Sequence, residues 1–245
     1  MKDKVLIGLM SLVWLVLMAN IIWQGTDGKW QIEDTEKIAE LEVAKYTNQV
    51  MVVAVSKDGA HLCLYERESN EPAMSRSVLK QGFENWKLVL ETEAIIGKNG
   101  LGKTKEGDGK TPVGVFLFVQ GFGILENPGT KIPYVQVKEQ HYWVDDSESS
   151  YYNKLVSVEE VEPDWSSAEH LIEFDERYQY VLATSYNIEC ISGRGSAVFL
   201  HCALSDAKGT AGCIAVPEVY MREIIKRVEP QCVIIIDEVS NILKY

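Results

Sequence analysis

The chain opens on an unbroken apolar run and turns polar and charge-rich at residue 24. From about residue 50 it alternates short apolar runs with turn residues. The first run, "VLIGLMSLVWLVLMANIIW" from Val5 to Trp23, holds 19 residues without a charge. A bilayer core needs ~20 apolar residues as helix and a secretory core segment usually ~7–15, so this length predicts a retained transmembrane anchor over 5–23. No small-x-small cleavage site follows it, and no cysteine near its end could take a lipid. Lys2 and Lys4 favour a cytoplasmic N-terminus over residues 1–4, which puts residues 24–245 outside the membrane.

Residues 24–48 read as a polar spacer, in which "DTEKIAELEVAKY" carries helical spacing. The rest, 49–245, reads as one mainly β domain. "QVMVVAVSKDGAHLCLYER" predicts two strands around a turn at Asp58-Gly59. Further strand-like runs rich in Val, Tyr and Phe are "WKLVLET", "VGVFLFV", "YVQV", "YWV", "YQYVLATSY", "SAVFLH" and "CVIIID". Helices are few. "SAEHLIEF" is a short one, and "PEVYMREIIKRV" a better one, with Pro217 and Glu218 suited to its start and Lys226 and Arg227 to its end. Pro230 follows as a stop. No internal repeat interrupts this order.

Composition changes the picture in two places. The net charge of −12 excludes a nucleic-acid surface, which needs clustered Lys and Arg. The five cysteines are odd in number, so at least one is free or pairs with another chain. Cys63 and Cys232 fall in strand-like runs, where a buried inert thiol is the default, and Cys190 in a loop.

"GKNGLGKT", Gly97 to Thr104, satisfies a nucleotide-phosphate loop pattern letter for letter. Such a loop works only when a helix follows, because helical N–H groups and the dipole hold the phosphates. Here "KEGDGKTP" follows, and Gly107, Gly109 and Pro112 oppose a helix. The loop therefore reads as a Gly/Lys-rich connection between strands, with no nucleotide bound.

The remaining chemistry gathers in "HCALSDAKGTAGCIAVPE", residues 201–218. A metal site would want three or four ligands, and His201, Cys202 and Cys213 lack the usual metal-ligand spacing. A Cys202–Cys213 disulfide would suit an oxidising exterior, and spacing does not forbid it. Nucleophilic catalysis needs a thiol, a nearby base and donors for a developing oxyanion. His201 ends an apolar strand, Gly212 permits a bend that lets backbone N–H groups converge, and Cys213 follows just before a helix start. That ordered set favours Cys213 as nucleophile and His201 as its base.

"FLHCALSDAKGTAGCIAVPE" resembles the signature of the YkuD-type L,D-transpeptidases, in which a histidine precedes a [Ser/Thr]-x-Gly-Cys element. The likeness extends through "GKTKEGDGKTPVGVF", "GFGI", "IPYVQV", "YWVDDSESSYYNKLV", "YVLATSYN" and "GSAVFLH", roughly residues 86 to 236. The resemblance implies a β-sandwich-like catalytic domain acting on peptidoglycan stem peptides, with no cofactor and no metal. Cys213 would attack the carbonyl of the third residue of a donor tetrapeptide and release the terminal D-alanine. The side-chain amine of a neighbouring stem would then resolve the thioester as a 3→3 cross-link, His201 moving the protons. Gly212 and Cys213 N–H groups would hold the oxyanion, and Thr210 matches the Ser/Thr position. Trp143, Tyr152, Asn153 and Tyr186 lie in shared segments and are candidates to line the peptide groove. Water in place of the amine would make the chain an L,D-carboxypeptidase, and loss of chemistry would leave a wall-binding protein. Three positions depart from the family pattern: Ala211 stands where many members have histidine, Ala215 where many have arginine, and Cys202 where a glycine is frequent.

Overall fold

The computed structural model describes residues 35–68, 86–174 and 176–245. The anchor expected over Val5–Trp23 lies outside the described residues. Among those described, no helix is long and apolar enough to cross a membrane.

Among the described residues, twelve strands and two α-helices follow in order. They are α1 (Thr35–Glu40), β1 (Gln49–Ser56), β2 (Gly59–Arg67), β3 (Trp86–Ala94), β4 (Gly114–Gly123), β5 (Tyr134–Gln136) and β6 (His141–Val144). β7 (Leu155–Ser157), β8 (Ala168–His170), β9 (Val181–Thr184), β10 (Phe199–Cys202), β11 (Ile214–Val216), α2 (Glu218–Arg227) and β12 (Val233–Glu238) complete the set. The main sheet runs β11-β10-β9-β4-β12-β1-β2-β3, with β5 beside β4. Just past β3, Ile95 exchanges both backbone hydrogen bonds with Ala215 of β11, at 2.8 Å each, so the two edges meet. The sheet is thus nearly closed and barrel-like, where a sandwich was expected. Closure satisfies edge N–H and C=O groups that a sandwich leaves bare.

Strand alternation divides the apolar side chains between layers. Inside the curl, Met51, Val53, Leu62, Leu64, Leu182, Leu200, Ile234 and Ile236 pack with Met221, Ile224 and Ile225 of α2. On the outer face of β1, β2 and β12, Val50, Val52, Cys63, Tyr65 and Ile235 pack with Ile38, Leu41 and Ala44. The stretch from Thr35 is therefore fastened to the domain by its apolar stripe and does not stand off as a spacer. A separate sheet, β7-β6-β8, covers the outer face of β9 and β10. There Trp143, Leu171 and Tyr178 meet Phe122, Val181, Ala183, Phe199 and Cys213.

"PEVYMREIIKRV" forms α2, with Pro217 at its N-cap and Val228 at its C-cap. "SAEHLIEF" does not form the expected helix. Ala168–His170 pair with β6 as a strand, and only Leu171–Phe174 make a 3-10 turn. The unpaired edge of β6 offers a full ladder to this segment, which outweighs a weak helical preference. The hairpin turn falls on Lys57-Asp58, because Gly59 already pairs with Ser56.

Candidate active site

β10 and β11 run side by side in parallel, with Leu200 level with Ile214 and His201 level with Ala215. Alternation turns Leu200 and Cys202 into the interior layer, and Phe199 and His201 outward beneath the small sheet. Cys213 directly precedes β11, and its sulfur accepts the Phe199 N–H at 3.4 Å. His201 and Cys213 thus occupy one face of neighbouring strands, ~4.8 Å apart across the ladder and ~6.6 Å along it at the backbone. Both are largely shielded, Cys213 with 8% of its surface exposed and His201 with 6%.

The resting hydrogen bonds fix the protons. His201 Nδ1 lies 2.8 Å from the carbonyl of Cys202. A carbonyl only accepts, so Nδ1 carries the hydrogen and Nε2 keeps its lone pair for base chemistry. The Tyr178 ring stands edge-on to the imidazole at 5.6 Å, which holds its orientation. The Cys213 thiol donates to the Ala197 carbonyl at 3.0 Å rather than to His201. Ala197 adopts φ 51°, a left-handed conformation rare outside glycine and a frequent mark of functional loops. Asn153 holds it there by accepting the Ala197 N–H at 3.1 Å.

Burial dominates the electrostatics. It pushes the Cys213 thiol up to about 12, aided by the Glu169 charge and opposed by the Phe199 N–H, Lys103 and Arg177. It pushes His201 down to about 4, opposed by the Cys202 carbonyl and aided by Arg177. At neutral pH the resting pair is therefore thiol and neutral imidazole.

The loop that mimicked a phosphate site braces this pair. No helix follows it. Instead the chain wraps around Asp108, whose carboxylate accepts the N–H groups of Thr104 at 2.8 Å, Lys105 at 3.2 Å and Lys110 at 3.0 Å. Lys103 Nζ pairs with the same carboxylate at 3.2 Å, its side chain only 3% exposed. Burial raises the Asp108 carboxyl, but these donors outweigh it and hold the group at about 2. Lys103 runs past Gly195 and Gly212: a Cβ on Gly195 would lie 2.4 Å from Lys103 Cε, and one on Gly212 3.4 Å from Lys103 Nζ. Gly212 has φ 147° and would also meet the Lys110 carbonyl at 2.8 Å, so the turn before the nucleophile demands glycine. Thr210 Oγ1 donates to the Cys213 carbonyl at 2.7 Å and accepts the Gly212 N–H at 3.1 Å. In this state the Gly212 N–H expected at the oxyanion is turned onto Thr210.

Residues 72–236, more than half of the chain, match the YkuD family model, described as the L,D-transpeptidase catalytic domain. The chain belongs to that family. No curated protein sequence matches it. Among solved structures, the helical cell shape determining protein Pgp2 from Campylobacter jejuni shares 16% identity at a TM-score of 0.41, covering 79% of this chain and 49% of that one. An L,D-transpeptidase from Enterococcus faecium shares 13% at 0.36, covering 78% and 50%. L,D-transpeptidase 1 from Mycobacterium tuberculosis shares 14% at 0.34, covering 77% and 60%. The chain spans about half the length of the first two structures. Membership rests on the family match.

Within this L,D-transpeptidase domain, the four residues expected at the peptide groove form one framework beside Ala197, with Trp143, Tyr152 and Tyr186 buried and Asn153 half-buried. Trp143 donates its indole N–H to Asn153 Oδ1 at 3.2 Å. Asn153 in turn donates to the Asn187 carbonyl at 2.9 Å. The Tyr152 hydroxyl donates to Glu106 Oε2 at 2.6 Å and accepts the Gly195 N–H at 3.0 Å. Tyr186 donates to the Arg194 carbonyl at 2.7 Å. Their polar atoms thus secure the loop that receives the thiol.

The Cys202–Cys213 pairing does not form: both are free thiols, and they face opposite layers because Cys202 stands on the interior side of β10. Ala211 is exposed, and Ala215 is buried in the closing edge. Among the described residues no group of three or more His, Cys, Asp and Glu side chains is placed to hold a metal ion. Sequence reasoning missed Lys103, Glu106, Asp108, Glu169, Tyr178 and Arg177. The acidic "EGD" inside a lysine- and glycine-rich loop was the one local signal, since carboxylates there have N–H groups to cap.

Proposed function

We propose that the chain is a peptidoglycan L,D-transpeptidase that forms 3→3 cross-links through a thioester on Cys213, with His201 as base. The observation that supports this reading is that His201 and Cys213 share one face of the β10–β11 pair, beneath a three-stranded cover. Family members act on peptidoglycan stem peptides. The thiol proton passes to His201 Nε2 as the sulfur attacks the donor carbonyl, since neither group is charged beforehand. The oxyanion meets the Cys213 N–H and, once Thr210 Oγ1 releases it, the Gly212 N–H. Collapse expels the terminal D-alanine with the proton from His201, and the acceptor amine then displaces the sulfur. The donor bond already supplies the acyl group, so the reaction calls for no cofactor. The anchor at Val5–Trp23 would present the domain to the wall from the membrane.

The test incubates the chain with tetrapeptide-bearing muropeptides and follows products by mass spectrometry beside Cys213→Ala. A cross-linked dimer from the parent alone supports transfer. Tripeptide without dimer would reassign the chain as an L,D-carboxypeptidase, and equal activity in the alanine variant would remove Cys213 from the mechanism.

A further inference from the structure

One titratable group beside the nucleophile has no part in these steps. Glu169 lies on β8, level with Trp143 of β6, on the face of the small sheet turned toward Phe199 and Cys213. Its carboxylate accepts the Tyr178 hydroxyl at 2.6 Å, and the same Tyr178 ring packs against Phe199 at 5.9 Å and His201 at 5.6 Å. Asp145 follows β6 on the same face by alternation, and its Oδ1 is shielded from solvent with no hydrogen-bond partner among the described residues. An orphaned buried acceptor beside a second carboxylate is costly unless a donor arrives from outside. Arg177 is near enough to favour the Glu169 charge, yet it stacks on Phe174 at 4.8 Å and forms no ion pair with Glu169. Burial and the Asp145 and Glu106 charges raise Glu169 to about 7 against the Tyr178 and Arg177 contributions, so this carboxyl exchanges protons near neutrality.

Resting on the transpeptidase reading, we propose that Glu169, positioned by Tyr178 and seconded by Asp145, recognises the side-chain ammonium of the acceptor stem and takes its first proton. The ammonium satisfies the orphaned Asp145 oxygen and gives one proton to the Glu169 carboxylate. The freed lone pair attacks the thioester carbonyl on Cys213. The second nitrogen proton passes to His201 Nε2 and on to sulfur as the C–S bond breaks, leaving an amide, a Cys213 thiol and a protonated Glu169. Water carries no positive charge, so the same carboxylates give it no comparable hold, which biases the thioester toward transfer.

The experiment forms the Cys213 thioester from a tetrapeptide donor on the full chain and on Glu169→Gln. It then resolves the thioester with an amine-bearing stem peptide or with the neutral nucleophile hydroxylamine. Donor acylation, read by intact mass, should persist in the variant, since Glu169 disfavours rather than supports the thiolate. Resolution by the stem amine should slow about tenfold to a hundredfold, the value of a lost hydrogen bond to a charged group, with hydrolysis taking its place. Resolution by hydroxylamine should stay unchanged, and Glu169→Asp should recover part of the amine rate. Equal slowing of both nucleophiles, failure of the variant to acylate, or an unchanged amine rate each overturns the assignment. Absence of acylation in the parent chain instead overturns the transpeptidase reading itself.

Discussion

Alkylation of Cys213 across pH gives a sharp quantitative expectation. The thiol sits at about 12, driven there first by burial. At pH 7.5 its thiolate fraction is about 3 in 100,000, against about one in ten for a free cysteine. That difference, about 3,000-fold, is offset by the greater nucleophilicity of a more basic thiolate, about 40-fold over this interval. Iodoacetamide should therefore label resting Cys213 roughly a hundredfold more slowly than free cysteine, before restricted access slows it further. The rate should rise about tenfold per pH unit from 7 to 10 without a plateau. His201 is neutral above about pH 5, because burial holds it at about 4. His201→Ala should therefore leave this profile unchanged between about pH 6 and 9. The assay quantifies the Cys213-bearing peptide by mass, since four other thiols are present. A plateau with an inflection near neutrality that disappears in His201→Ala would refute the reasoning, because it would mean a resting thiolate–imidazolium pair.

Three further outcomes follow from the loop beneath the nucleophile. Asp108→Asn leaves the shielded Lys103 cation without its partner and should destabilise the domain by about 3 kcal/mol in urea titration. The parent Asp108 is depressed from 3.8 to about 2, so its contribution, of order 2 kcal/mol, is complete above about pH 4. It is lost as pH falls through about 2, and the gap between parent and variant should narrow over that window. Gly212→Ala must fit a Cβ 2.8 Å from the Lys110 carbonyl at φ 147° and should cost about 2–3 kcal/mol and abolish thioester formation, read by denaturation and intact mass. Tyr152→Phe strands the Gly195 N–H and leaves Glu106 Oε2 with the Ser196 hydroxyl alone, and should cost about 1–3 kcal/mol in the same titration.

The chemistry was legible where it was local. His201, Gly212 and Cys213 fall within one strand–turn–strand unit, and the histidine at a strand end and the glycine before the thiol follow from backbone rules alone. The residues after the phosphate-loop pattern opposed a helix, and none follows it. What the chain could not disclose locally is what spans it. Glu106 binds Ser196 across 90 positions and Tyr152 across 46, and no periodicity links them. Ile214–Val216 is too short to read as a strand, yet it closes the sheet. Ala168–His170 took strand pairing over helical spacing because β6 had an open edge. Shared motif segments put Trp143, Tyr152, Asn153 and Tyr186 near the site, but only the folded arrangement assigns their polar atoms to the loop around Ala197.

Trapping the acyl intermediate tests the central claim most directly. The parent chain mixed with a tetrapeptide donor and no acceptor should gain the mass of the tripeptide acyl group on the peptide containing Cys213. Cys213→Ala should gain none, and His201→Ala should gain it far more slowly. Turnover of the donor with Cys213 unmodified throughout, or acylation at full rate without His201, would contradict the account.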